Sequence, residues 1–140
     1  MLALTGFFTF VGCGSESSDI SSVQGIENPL PPCPDSPNCL RITKQFDQPV
    51  KKIYDASLQT IRDMDPEELT EADNQQKIES VFRVVFFRDD MALQFTDVDS
   101  NSTFLHIRSA SRVGESDLGV NRRRVQQFLE KLQPKLPGNS

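Results

Sequence analysis

The stretch Val81-Phe82-Arg83-Val84-Val85-Phe86-Phe87-Arg88-Asp89-Asp90-Met91-Ala92-Leu93-Gln94-Phe95-Thr96 decides the fold class. Its first half is β-branched and aromatic, residue types that suit the pleated, half-buried surface of a sheet. Apolar residues on both faces toward its end mark residues 77–88 as a central strand. Asp89-Asp90 then read as hairpin-turn punctuation. Beyond them Met91, Leu93 and Phe95 alternate with Ala92, Gln94 and Thr96, the period of two of a strand with one buried face. The polar run from Asp97 to Ser102 is the next turn signal, and a third strand follows from Thr103 to about Ala110. Two adjacent antiparallel hairpins are the simplest arrangement.

Working outward, Leu40, Ile42 and Phe46 alternate with polar neighbours and predict a short strand over 40–46. Asp47 is the expected helix N-cap, with Pro49 in the first turn. Val50, Ile53, Tyr54, Ser57, Leu58, Ile61 and Met64 then recur at three- and four-residue spacing until Asp65-Pro66 stops the helix. Residues 63–73 hold six acids and no Lys or Arg, and read as a solvated acidic loop with room for one extra turn from Pro66. A last helix is expected from Ser116 or Asp117 as N-cap. Leu118, Val125, Phe128, Leu129 and Leu132 form its buried stripe, with Pro134 and Pro137 beyond its end. The order β-α-β-β-β-α predicts an α+β two-layer domain, an antiparallel sheet of three to four strands with two helices on one face. A chain of 140 residues without internal repeats is one domain of ordinary size.

The segment from Arg108 to Arg124 is polar where a core should close. On the incoming strand Ser109 and Ser111 take over the face of Leu105 and Ile107. On the helix, Asn121 and Arg122 fall on the expected buried stripe through Leu118 and Val125. A buried Arg122 needs an acid, backbone carbonyls or a ligand, because an unpartnered guanidinium is too costly to bury. Three readings stay open for Arg108, Ser109, Ser111, Arg112, Asp117, Asn121 and Arg122. They build a small-anion or headgroup site at the helix N-terminus, a self-satisfied network in which Asp117 pairs with Arg112 or Arg122, or a surface for a partner protein.

Other chemistry is thinly supplied. His106 is the one histidine, and its alternation with Leu105 and Ile107 turns it away from the helices, onto the surface or into a second layer. It would have to serve any Ser–His–Asp arrangement, so no catalytic set is assigned. Asp97, Asp99 and Asn101 alternate as in calcium loops but lack the Gly and Glu that complete one. No metal or cofactor is expected. Residues 106–135 carry seven Lys or Arg against three acids, yet an overall pI near 4.8 and a net charge of −5 speak against nucleic acid as a partner.

Residues 1–12 are apolar and uncharged, and Gly12 precedes Cys13 and a Gly-Ser-rich stretch. This resembles the end of a bacterial lipoprotein signal peptide, which implies lipidation of Cys13. Residues 13–32, rich in Ser, Pro, Gly and Asn, then form a tether, and the folded domain spans 33–140. With Cys13 acylated, Cys33 and Cys39 remain as an even pair, which reads as a disulfide in an exported chain. Free thiols and a redox or metal pair are the alternatives, disfavoured by the Cys-x5-Cys spacing.

The loop Cys33-Pro34-Asp35-Ser36-Pro37-Asn38-Cys39, the Asp89-Asp90 pair and the Arg108-to-Arg122 run together resemble the bacterial and plastid domain-of-unknown-function family 1499, over roughly residues 33–132. The resemblance implies an exported, often lipoprotein-type domain and no particular activity. The expectation from sequence is a lipid-anchored, non-enzymatic binding or scaffolding module on the periplasmic side of a bacterial envelope membrane. Its partners would be the membrane and an envelope protein or a small anionic ligand. Carriage of an anion or lipid headgroup near Arg122 is the first alternative, and a hydrolase or redox enzyme using Ser111, His106 or Cys33 and Cys39 the second.

Overall fold

A computed structural model describes residues 20–35, 37–72, 74, 76–114, 119–136 and 138. Strand β1 (Cys39–Phe46) leads into helix α1 (Val50–Asp63), and β2 (Glu68–Glu71), β3 (Lys77–Val84), β4 (Phe87–Asp99) and β5 (Ser102–Ser111) follow. Helix α2 (Val120–Leu132) and a short 3-10 turn (Gln133–Lys135) complete the order. The strands form one antiparallel sheet in the order β1-β5-β4-β3-β2, with both helices on one face. This is the expected α+β class, but with five strands instead of three to four.

The additional strand is β2, inside the stretch read as a loop. Its acids line a sheet edge, where charge discourages pairing with other chains, while Leu69 reaches the core. Glu71 accepts a hydrogen bond from the Tyr54 hydroxyl at 3.2 Å and pairs with Arg62 at 3.0 Å, which fastens that edge to α1.

The long apolar run contains a hairpin turn, not the middle of one strand. β3 ends at Val84, Val85 and Phe86 turn, and β4 starts at Phe87. Asp89 and Asp90 therefore lie inside β4, paired with Ser111 and Ala110, and are not turn residues. Likewise α1 has Pro49 at its N-cap position without a side-chain cap, so Asp47 does not cap it. α2 begins at Val120 after Gly119, whose φ of 78° is easy only for glycine. Ser116, Asp117 and Leu118 lie outside the described residues.

The core lies between sheet and helices. Ile42, Ile78, Phe82, Met91, Leu93, Phe95, Leu105 and Ile107 meet Ile53, Ile61, Val125, Phe128 and Leu132 there. A segment before β1 packs along that strand as well. Residues 20–30, part of the stretch expected to be a tether, run across β1. Val23 N–H donates to Thr43 O at 2.9 Å, Asn28 Nδ2 donates to Ile42 O at 3.1 Å, and Leu30 is buried.

Candidate functional site

The start of β1, the start of β4, the end of β5 and the start of α2 converge at one end of the domain. Asn121 is the hub. Ser109 Oγ donates to its Oδ1 at 2.6 Å, and its Nδ2 donates to Asn38 O at 3.0 Å and Ser111 Oγ at 2.9 Å. Arg124 Nη1 donates to Asn121 Oδ1 at 3.1 Å and stands 2.8 Å from Asp89 Oδ2. That ion pair is coulombic, since Asp89 Oδ2 has no partner with hydrogen-bond geometry. Asp89 and Arg124 are both buried, and the Arg124 guanidinium lies 5.0 Å above the Phe82 ring.

Local sequence explains the arrangement. Asp89 shares the inward face of β4 with Met91, Leu93 and Phe95. On α2 the buried positions are Asn121, Arg124, Val125, Phe128, Leu129 and Leu132, a stripe at three- and four-residue steps. Asn38 ties in the Cys33–Cys39 loop: its Nδ2 donates to Gly114 O at 2.5 Å, and its own carbonyl accepts from Ser111 N–H at 3.0 Å. The two cysteines form the expected disulfide.

The structure thus brings together Ser109, Ser111 and Asn121 from the sequence-derived set. Arg122 is a correction: it is exposed, and the buried guanidinium belongs to Arg124. A stripe through Leu118 and Val125 admits both 121 and 122. With the helix starting at Val120, the stripe passes through 121, 124, 125 and 128, and Arg122 is turned away from it. Arg112 is exposed and forks onto Asp90, Nη2 at 2.8 Å and Nε at 3.0 Å. Arg108 lies on the opposite face of the sheet, and Asp117 is outside the described residues. Asp89, Arg124 and Asn38 are absent from the sequence-derived network, although Asn38 and Asp89 stand in the motifs that carry the family resemblance, the period-two face of β4 points at Asp89 and an i,i+3 step from Asn121 points at Arg124.

A cleft of about 530 Å³ opens beside Arg124, lined by Met64, Asp65, Glu67, Phe82 and Arg83 among others. Asp65 and Glu67 balance its two guanidiniums, so it has no net attraction for an anion. Glu67 is in addition held by Arg88, at 2.5 and 3.0 Å, which keeps its carboxyl below the usual range.

His106 faces away from the helices, as alternation requires, but it is buried and is not a surface residue. Thr43 Oγ1 lies 2.8 Å from Nδ1 and Thr96 Oγ1 lies 3.0 Å from Nε2. A hydroxyl donates or accepts, so the two threonines satisfy a neutral ring in either tautomer. Burial first, and the Arg41 charge second, lower the pKa of His106 from 6.5. The unfolded chain therefore binds this proton more readily than the folded one. Stability is full above about pH 6.5 and falls as the pH drops below it toward the lowered folded value. His106→Gln, which keeps both hydrogen-bonding ends without a titrating ring, is expected to flatten that part of a Tm-against-pH curve. An unchanged slope would mean that His106 titrates normally.

Among the described residues, no cluster of three or more His, Cys, Asp or Glu side chains is placed to hold a metal, and no helix is long and apolar enough to cross a membrane.

Comparison with solved structures places the fold. Protein MLL2253 from Mesorhizobium loti is similar at a TM-score of 0.57 and 13% identity, over 73% of this chain and 98% of that one. CalU16 from Micromonospora echinospora is similar at a TM-score of 0.55 and 12% identity, over 73% and 76%. At such identities the likeness is one of fold alone. No curated protein matches the chain. The family model described as a protein of unknown function, DUF1499, matches residues 29–132, a span that takes in the disulfide loop, the whole sheet, the Asn121 hub and all of α2, and the chain belongs to that family.

Proposed function

We propose that the protein is a membrane-tethered, non-enzymatic binding module. In this reading an acyl chain on Cys13 holds it to the periplasmic side of a bacterial envelope membrane, and the β3–β4 hairpin tip rests on the bilayer. The tip carries the reading. Val85, Phe86 and Phe87 are 72%, 84% and 56% exposed, and Val113 beside them is 56% exposed. Val85 and Phe86 close a two-residue turn with a φ of 56° at Val85, a position where glycine is the ordinary, unstrained occupant. A β-branched residue there adds strain, and the exposed aromatics lower solubility, so fold alone does not account for the choice.

Arginines ring the tip. Arg83 Nε donates to Val85 O at 3.0 Å, and Arg112 N–H donates to Arg88 O at 3.1 Å, which sets Val113 alongside. Arg88 and Arg112 are held by Glu67 and Asp90, so Arg83 is the cation for a headgroup, and an apolar point with a guanidinium just behind it matches the boundary between acyl chains and phosphate headgroups. Groups with catalytic potential are meanwhile engaged in structure: His106 by two threonines, Cys33 and Cys39 by each other, Ser109 by Asn121.

The test uses the full chain carrying Cys13→Ser, mixed with phosphatidylcholine vesicles with and without phosphatidylglycerol. Phe86→Ser with Phe87→Ser is expected to weaken co-sedimentation on the order of tenfold or more, since each buried Phe contributes about 1.5 to 3 kcal/mol. Tm should not fall. Equal sedimentation of both chains would exclude the tip as the membrane contact and direct attention to a protein partner. The tether is tested separately in cells. Cys13 is expected to take a labelled fatty acid and hold the protein in the membrane fraction. Label retained by Cys13→Ser would remove that part of the reading.

A further inference from the structure

The sheet face turned away from the helices carries two arginines directly opposite each other, Arg41 on β1 and Arg108 on β5. Like charges at such a position stand about 4.5 to 5.5 Å apart at Cβ and repel. An arginine pair that serves structure alone needs acids or hydrogen-bond acceptors to offset its charge and desolvation. Here, among the described residues, neither guanidinium has an ion-pair partner. Of the acids on neighbouring strands, Asp90 holds Arg112 at 2.8 Å and Glu79 holds Lys77 at 2.7 Å, and Glu27, next to the Asn28 that Arg41 bonds, forms no ion pair with it among the described residues. Across β4 the neighbour of Arg108 is Ala92, which offers no oxygen on its side chain.

The Nε atoms of Arg41 and Arg108 are both buried and both lack a hydrogen-bond partner. Arg41 makes one bond, from Nη2 to the carbonyl of Asn28, which steers its guanidinium without neutralising it. Buried donors left without a partner destabilise the fold, so a fold selected for stability alone would have an acid or an apolar residue here. The positive field is felt by a neighbour: Arg41 contributes to lowering the pKa of His106.

We propose that Arg41 and Arg108 form a binding site for a small oxyanion, a phosphate or phosphate monoester, bridged between the two guanidinium planes. The chemistry of the pair selects this class. Each guanidinium offers two parallel N–H donors, which match two oxygens of a tetrahedral anion, and two full positive charges favour a dianion over chloride or a monocarboxylate. The site is on the opposite side of the sheet from the Asn121 hub and shares no residue with the hairpin tip, so it stands or falls independently of the tether and of bilayer contact. The shared chemistry covers a free phosphate, a soluble phosphate ester and the headgroup of a phosphatidic acid.

The experiment is a Tm titration of the full chain carrying Cys13→Ser with inorganic phosphate, against sodium chloride at matched ionic strength. Glycerol phosphate and a short-chain phosphatidic acid form parallel arms that separate free anion from headgroup. Phosphate is expected to raise Tm where chloride does not. Arg108→Gln should abolish the rise and, without phosphate, melt no lower than the parent, because it removes a repulsion. Arg108→Lys should leave only part of the rise, since the charge remains without the fork. Three results would overturn the site: a rise no larger with phosphate than with chloride, a full rise in Arg108→Gln, or early melting of anion-free Arg108→Gln. Titration calorimetry of the parent with phosphate answers the same question without any variant, and no heat above the chloride control excludes the site.

Discussion

Arg124→Ala is expected to destabilise the domain by about 3 to 5 kcal/mol, roughly 10 °C or more in Tm. The side chains of Arg124 and Asp89 are only 8% and 3% exposed and stand 2.8 Å apart. Removing the guanidinium leaves a carboxylate inside the domain with no counter-charge and no hydrogen-bond donor on Oδ2. The loss includes the stacking of Arg124 over Phe82 and its bond to the Asn121 amide. Arg122→Ala, one residue away on the exposed side of the same helix, is expected to stay within about 0.5 kcal/mol. The pair of variants is decisive, because helix propensity and net charge change equally in both. Replacing both partners, Asp89→Leu with Arg124→Met, should recover most of the loss, since an apolar pair needs no compensation for desolvated charge. Equal melting of Arg124→Ala and Arg122→Ala would refute the buried pair.

Arg122 and Arg124 also show where reading by periodicity works and where it stops. The β-branched and aromatic composition of 77–96 and the three- and four-residue spacing of 50–64 specify a sheet and an amphipathic helix, and both are present. Strand β1 and the β4–β5 hairpin fall where alternation places them. What periodicity does not carry is phase at an end. Residues 84–87 are apolar without interruption, so nothing in their pattern marks a turn, and no Gly or Asn signals one. The turn is revealed by the register that pairs Val84 with Phe87. Once it is placed there, Asp89 moves from a presumed loop into the inward face of β4. The same shift at the start of α2 exchanges Arg122 for Arg124. Edge strand β2 escaped for another reason: its charges, which read as solvated loop, are what a sheet edge uses against unwanted pairing. The hub itself was half legible. Ser109, Ser111 and Asn121 followed from faces of regular elements, whereas Asn38 joins through a loop whose approach to β5 depends on tertiary contact.

Asn121→Ala is expected to cost about 2 to 4 kcal/mol, and its pattern separates a structural lock from a ligand site. The Asn121 amide uses both of its donor hydrogens and two acceptor positions, on Asn38 O, Ser111 Oγ, Ser109 Oγ and Arg124 Nη1. Truncation strands the Ser109 hydroxyl, which is wholly buried, and removes one of the ties between the disulfide loop and α2. Asn121→Asp keeps the shape and both acceptors but has no donor for Asn38 O. It also sets a second carboxylate on the guanidinium that already neutralises Asp89, so it should not rescue the fold. Ser109→Ala alone is expected to cost about 1 kcal/mol, and in the Asn121→Ala background close to nothing, because its partner is already gone. Hydrogen exchange should localise the damage: amides of residues 38–40 and 121–125 lose protection together, while the far ends of β4 and β5 keep theirs. A ligand site would behave in the opposite way, since its residues are held for a guest and their removal leaves the empty fold as stable as before or more so. An Asn121→Ala protein with the Tm of the parent would therefore turn this end of the domain from a lock into a site.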